Sequence, residues 1–162
     1  MTSWKEAMRV DLPTGRRGRW AIEHIHVSEA EAERSKLHGM LRGRGRIEAG
    51  RYTGLYEYRE RGGRTLWMSD TPDEKLDHLD FYLCAHGRVL VHGLGLGMSV
   101  AAVLQKQNVE HVTVVEKERD VIALVAPTLG DGRETMMEGE TGLLSILPAE
   151  ALRGQSRAYA WN

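Results

Sequence analysis

Cysteine is almost absent: Cys84 is the only one in 162 residues. One thiol excludes an internal disulfide framework and a cysteine-rich zinc cluster, and it fits a reducing, cytoplasmic location. Long apolar runs are missing too, none approaching the ~18 residues of a membrane span. The first twenty residues carry Lys5, Arg9, Arg16, Arg17 and Arg19 and no apolar stretch of signal-peptide type, so a soluble chain without a targeting segment is expected. His24 and His26 share a strand face at i, i+2 but lack a third ligand at motif spacing, so no metal site is expected. Net charge is nearly absent as well, at -1. That balance conceals a split, because residues 1–65 hold 14 Lys/Arg against 9 Asp/Glu and residues 66–162 hold 8 against 14. A basic first part would steer an anionic substrate or a nucleic acid, although an ordinary solvated surface has the same composition.

What is there suffices for one packed domain, with 41% hydrophobic residues. Residues 1–19, broken by Pro13, Gly15 and Gly18, read as a poorly ordered leader. Trp20–Val27 alternates like a strand, and Ser28 with Glu31 forms a capping box for a helix to about residue 38. Residues 51–60 and 64–68 flank Gly62-Gly63 as a hairpin. Thr71-Pro72-Asp73-Glu74 opens a second helix to about residue 86, with Leu76, Leu79 and Leu83 at helical spacing and Gly87 closing it. From there the chain alternates: strand 88–92, helix 98–107, strand 112–116, and helix 118–126 stopped by Pro127. That order predicts an α/β protein, with an incomplete Rossmann-like, doubly wound parallel sheet over 71–162 and a small β-rich region over 1–70. A third strand is expected at 134–138 and a fourth at 157–161, while 143–152, interrupted by Pro148, is ambiguous.

The run Arg88-Val89-Leu90-Val91-His92-Gly93-Leu94-Gly95-Leu96-Gly97-Met98 carries the most chemistry, because an apolar strand feeds directly into alternate glycines. Such a loop tolerates φ > 0 and brings bare backbone and amide donors close to a ligand. Nineteen residues after Gly97, the strand Val112-Thr113-Val114-Val115-Glu116 ends in a carboxylate. An acid at about that distance is where a half-Rossmann unit grips ribose hydroxyls. Neither Gly-x-Gly-x-x-Gly register is satisfied, since Met98 or Val100 takes the third position, and no phosphate-binding Lys-Ser/Thr loop is present. The tighter Gly-x-Gly-x-Gly spacing suits a ligand without phosphates, of which S-adenosylmethionine is the obvious candidate.

On these residues the stretch from Met68 to Asn162 resembles class I S-adenosylmethionine-dependent methyltransferases, in the branch similar to spermidine synthase. Val89 to Gly97 looks like the first motif of that family, and Val114-Val115-Glu116 like its acidic second motif. The resemblance implies S-adenosylmethionine as cofactor, held by Gly93, Gly95, Gly97 and Glu116. It further implies that Glu140, in Met136-Met137-Glu138-Gly139-Glu140, stands for the acid that meets the adenine amino group. Asp73-Glu74-Lys75-Leu76-Asp77-His78 is similar to the element before the glycine loop in aminopropyltransferases, with Asp77 replacing a tyrosine and Leu79 a glutamate. Residues 157–161 resemble the fourth strand, with Ala158 where an acid is expected. The family continues beyond that strand, so the chain reads as truncated, with strand 157–161 an exposed edge inviting self-association.

No catalytic residue is assigned. Asp70, Asp73 and Asp77 are candidates for acid or base chemistry, and His92 sits beside the loop. Arg42-Gly43-Arg44-Gly45-Arg46 is either a phosphate-contacting ridge or a basic loop, and Tyr52, Tyr56 and Tyr58 are either a base-stacking face or the cover of a small sheet. A methyltransferase with unknown acceptor is thus the first reading. Aminopropyl transfer to a polyamine and a non-enzymatic nucleic-acid-binding or regulatory module are its rivals.

Overall fold

A computed structural model describes residues 3–42, 47–129 and 143–148. Two sheets organise them. The first is antiparallel and four-stranded, with β1 (Gly15–Arg17), β2 (Trp20–Val27), β3 (Gly50–Tyr58) and β4 (Arg64–Ser69) adjacent in chain order. The expected hairpin is its second half. Gly62 and Gly63 turn it at φ 88° and 83°, a backbone that side chains with a Cβ adopt only under strain.

Residues 3–19 are ordered, contrary to the expectation from their composition. Ser3 caps α1 (Trp4–Ala7), its hydroxyl accepting the Glu6 N–H at 3.3 Å, and β1 pairs with β2. Ala7, Met8 and Leu12 are buried in the core. Three apolar residues spread over a charged segment form no periodic pattern, yet each finds a partner across the chain. The capping box of α2 (Glu29–Arg42) forms as expected, with the Ser28 N–H donating to Glu31 at 2.8 Å and the Glu31 N–H to the Ser28 hydroxyl at 3.3 Å. The helix runs through Gly39, because one glycine costs only about 1 kcal/mol of helix propensity and does not oblige a stop.

The single helix expected after Thr71 is divided at His78 into α3 (Pro72–Asp77) and α4 (Leu79–Cys84). Thr71 makes no side-chain cap bond; Glu74 instead accepts the Ser69 N–H and hydroxyl, both at 2.6 Å. The break interrupts the 3.6-residue period, so Leu76 and Leu83 fall on solvent, Leu83 with 62% of its surface exposed.

The second sheet is parallel, with β5 (Gly87–His92), β6 (Val109–Glu116) and β7 (Leu143–Pro148) in the order β5-β6-β7. Helix α5 (Met98–Leu104) links β5 to β6, and α6 (Arg119–Val125) follows β6, closed by a 3-10 turn at Ala126–Thr128. The strand that pairs with β6 is thus Leu143–Pro148, within the stretch that the sequence left ambiguous. Its proline is the last residue, where no further ladder donor is required. Residues 134–138, Glu140 and 157–161 lie outside the described residues. One core joins the sheets: Val103, Val109, Val112 and Val114 pack in the same cluster as Trp20, Ile22 and Leu55. Among the described residues no helix is long and apolar enough to cross a membrane.

Candidate functional site

The loop between β5 and α5 is built by alternation. Leu94 and Leu96 are buried and anchor it in the core, while Gly93, Gly95 and Gly97 turn it at φ 86°, 54° and 75°. Each glycine answers a different demand. Among the described residues, chain neighbours aside, nothing lies within 4 Å of where a Gly93 Cβ would stand, so that position is open. A Cβ on Gly95 would lie 2.5 Å from Sδ of Met68, and one on Gly97 would lie 3.0 Å from Leu129 and 3.1 Å from Val125. Gly97 therefore permits close packing between the start of α5 and the end of α6.

Glu116, at the end of β6, is buried, with 7% of its surface exposed. One carboxylate oxygen accepts the Leu94 N–H at 2.7 Å and the other the Glu118 N–H at 2.8 Å. Charge-assisted bonds to main-chain donors compensate its burial and tie the glycine loop to the neighbouring strand. A carboxylate offers about four acceptor sites, so two remain.

These elements border a half-open cavity of about 780 Å³, inside the range that holds small-molecule ligands. Gly93, Gly95 and Glu116 form part of one wall and Leu55, Trp67 and Met68 part of the other. The second wall depends on a bulge: Leu55 pairs with Met68 and Tyr56 with Leu66, leaving Trp67 as the extra residue of β4. In a regular strand consecutive side chains take opposite faces, whereas here both Trp67 and Met68 line the cavity. The Met68 thioether accepts the Leu96 N–H at 3.2 Å, so the first sheet touches the glycine loop directly. Trp67 donates its indole N–H to Glu57 at 2.8 Å and lies 5.9 Å from Trp20 at 55° between ring planes. Arg19 bridges Glu57 at 3.2 Å and Glu118 at 2.8 Å, and Glu118 also accepts the Trp20 indole N–H at 3.1 Å.

Of the residues singled out in the sequence, Gly93, Gly95, His92 and Glu116 meet at this cavity, and Gly97 supports it from behind. The aspartates do not line it. Asp70 is buried elsewhere, accepting the Thr53 N–H at 2.5 Å while its own N–H donates to the Thr53 carbonyl at 3.0 Å. Asp73 and Asp77 lie in α3 away from the lining; His78 and Phe81 line it instead. Glu140 lies outside the described residues, and in chain order it precedes β7, whereas Pro148 is the residue registered with Glu116. The Arg19, Trp20, Glu57, Trp67 and Glu118 cluster has no local sequence signature, since its longest bonds join positions 98 and 99 apart.

The other candidates have structural partners. His24 contacts the Leu12 carbonyl at 3.2 Å and receives Arg51 at 2.8 Å, and among the described residues no group of three metal-ligating side chains converges. None of Tyr52, Tyr56 and Tyr58 lines the cavity, and arginines already lie over two of the rings, Arg64 at 4.4 Å from Tyr56 and Arg16 at 4.2 Å from Tyr58. Burial, followed by the charges of Glu48 and Asp70, raises the Tyr52 phenol above its usual value. Arg44 and Arg46 lie outside the described residues. No protein-family model, curated protein or solved structure matches the chain.

Proposed function

We propose that the chain binds S-adenosylmethionine on the glycine loop and acts as a class I methyltransferase-like protein, with β5-α5-β6-α6-β7 the first part of a Rossmann-like, doubly wound sheet. One observation carries the reading. The open backbone of Gly93 and the strand-end carboxylate of Glu116 face one cavity from adjacent parallel strands. Ligands of open α/β sheets bind at the carboxyl ends of the strands, where this cavity lies.

The residues fit such a group. Gly93 leaves open space over its backbone, which a Cβ would intrude on, and the two remaining acceptor sites of Glu116 suit the paired ribose hydroxyls. Approach runs over Gly93, because the space at Gly95 is taken by Met68. When bound, the cofactor supplies an electrophilic methyl group on a sulfonium. The chain's own part is to hold it, to exclude water with the apolar side chains Leu55, Phe81 and Val91, and to align an acceptor, which is where catalysis by proximity resides.

Calorimetry with S-adenosylhomocysteine tests the reading. The wild type is expected to bind it and not NAD. Gly93→Ala should weaken binding by at least about tenfold, the equivalent of 1.4 kcal/mol. Failure of the wild type to bind, or an unchanged affinity in Gly93→Ala, would remove the loop from the site.

A further inference from the structure

The wall opposite the glycine loop has a chemistry of its own. Its carboxylates are already satisfied: Glu57 by Arg19 and the Trp67 indole, Glu118 by Arg19 and the Trp20 indole. Glu116 accepts two main-chain amides, and its remaining acceptor sites are those assigned to the ribose hydroxyls. A cationic ligand would have to displace Arg19 to reach Glu57 or Glu118. An anionic ligand would meet three carboxylates against the two formal cations of the lining, Arg19 and Lys117. The most exposed large apolar side chains of the lining are Trp67, with 58% of its surface exposed, and Leu90, with 54%; Leu55 and Phe81 line the same cavity.

We propose that this wall is a subsite for a planar, uncharged ring, which is the acceptor class of the reaction assigned to the loop; the acceptor role rests on that assignment. The β4 bulge is the device that makes it, because only the extra residue turns an indole toward the same space as Met68. Trp20, tilted at 55° and hydrogen-bonded to Glu118, packs against the Trp67 ring, which keeps 58% of its surface exposed and so leaves area for a stacked partner. Recognition then comes from ring contact, with the satisfied carboxylates discriminating against charge of either sign.

The test uses the full chain and three probes at pH 7: quinoline as a neutral ring, spermidine as an aliphatic cation and naphthalene-2-sulfonate as a charged ring. Each is titrated by calorimetry with and without saturating S-adenosylhomocysteine. Quinoline is expected to bind more tightly than the other two. Trp67→Ala should weaken it by about tenfold, in line with the loss of one stacking partner, and Trp67→Phe should restore most of that loss. The S-adenosylhomocysteine affinity should change less than about twofold in either variant, a margin well under 1 kcal/mol. Tighter binding of spermidine or the sulfonate, or quinoline affinity indifferent to Trp67→Ala, overturns the subsite. Absence of S-adenosylhomocysteine binding in the wild type overturns the cofactor assignment and the acceptor role, while the quinoline arm without cofactor still decides whether the ring subsite exists.

Discussion

The two walls of the cavity are made of different materials. The loop wall is main chain, with glycines at positive φ and a carboxylate engaged by amides. The sheet wall is side chain, with two indoles, a thioether and an arginine shared between two glutamates. A main-chain wall is set by local backbone constraints that few residues satisfy, so substitution there disturbs the fold. A side-chain wall is held by contacts between distant strands, so single groups can be exchanged with the scaffold intact.

The largest expected difference lies within the loop itself. Gly97→Ala should cost about 3 kcal/mol, combining about 1–2 for a left-handed backbone with compression against Leu129 and Val125. Gly93→Ala faces open space and should cost only about 1–2 kcal/mol while impairing ligand binding. Urea unfolding of both variants measures the gap, and equal losses would erase the distinction between a packing glycine and a ligand-facing one.

Across the cavity, Glu116→Gln should destabilise by about 2 kcal/mol, because the new amide group points a donor at one of two buried N–H groups. Glu57→Gln, in an ion pair whose arginine is half exposed, should cost less than about 1 kcal/mol. Comparable values from thermal unfolding would mean that the sheet wall is as rigidly determined as the loop. Met68→Ala probes a direct contact between the walls. It should cost about 1–2 kcal/mol, less than a fully buried methionine, and speed hydrogen exchange at the Leu96 amide but not at Leu94, which Glu116 holds. Equal acceleration at both amides would show that the loop moves as one unit.

A comparably small effect belongs to a site outside both walls. Ser28→Ala should lose about 1 kcal/mol from the α2 cap. The Ser28 hydroxyl, and then its N–H, hold the Glu31 carboxyl below its ordinary 4.5. A lowered folded value stabilises above the unfolded one and is lost as pH falls through the folded one. The difference in melting temperature between Ser28→Ala and wild type should therefore narrow below pH 4.5. A difference that persists in acid would assign the cap to the serine alone.

Local chemistry made much of the parallel half readable. Gly87, the Val-Leu-Val run and three alternate glycines specify a strand, a turn and a helix start within one stretch. The hairpin at Gly62-Gly63 and the Ser28–Glu31 box are equally local, and all three appear where their residues indicate. The failures share a cause. Met8 and Leu12 are buried by partners far away in the chain, the helix after Thr71 breaks at His78 although its leucine spacing continues, and Leu143–Pro148 pairs with β6 despite its proline. None of these outcomes is contained in a window of ten residues.

The same division holds for the site. Gly93 and Glu116 could be named from spacing alone, since backbone freedom and a strand-end acid are properties of the residues themselves. That Glu116 holds the Leu94 amide was decided by the pairing of β5 with β6, and that Met68 fills the space at Gly95 and Trp67 lines the same cavity was decided by the approach of two sheets. Residue type determines what a group can do; only tertiary packing determines which groups meet, because the energy of burial and pairing depends on neighbours that the chain brings together from opposite ends.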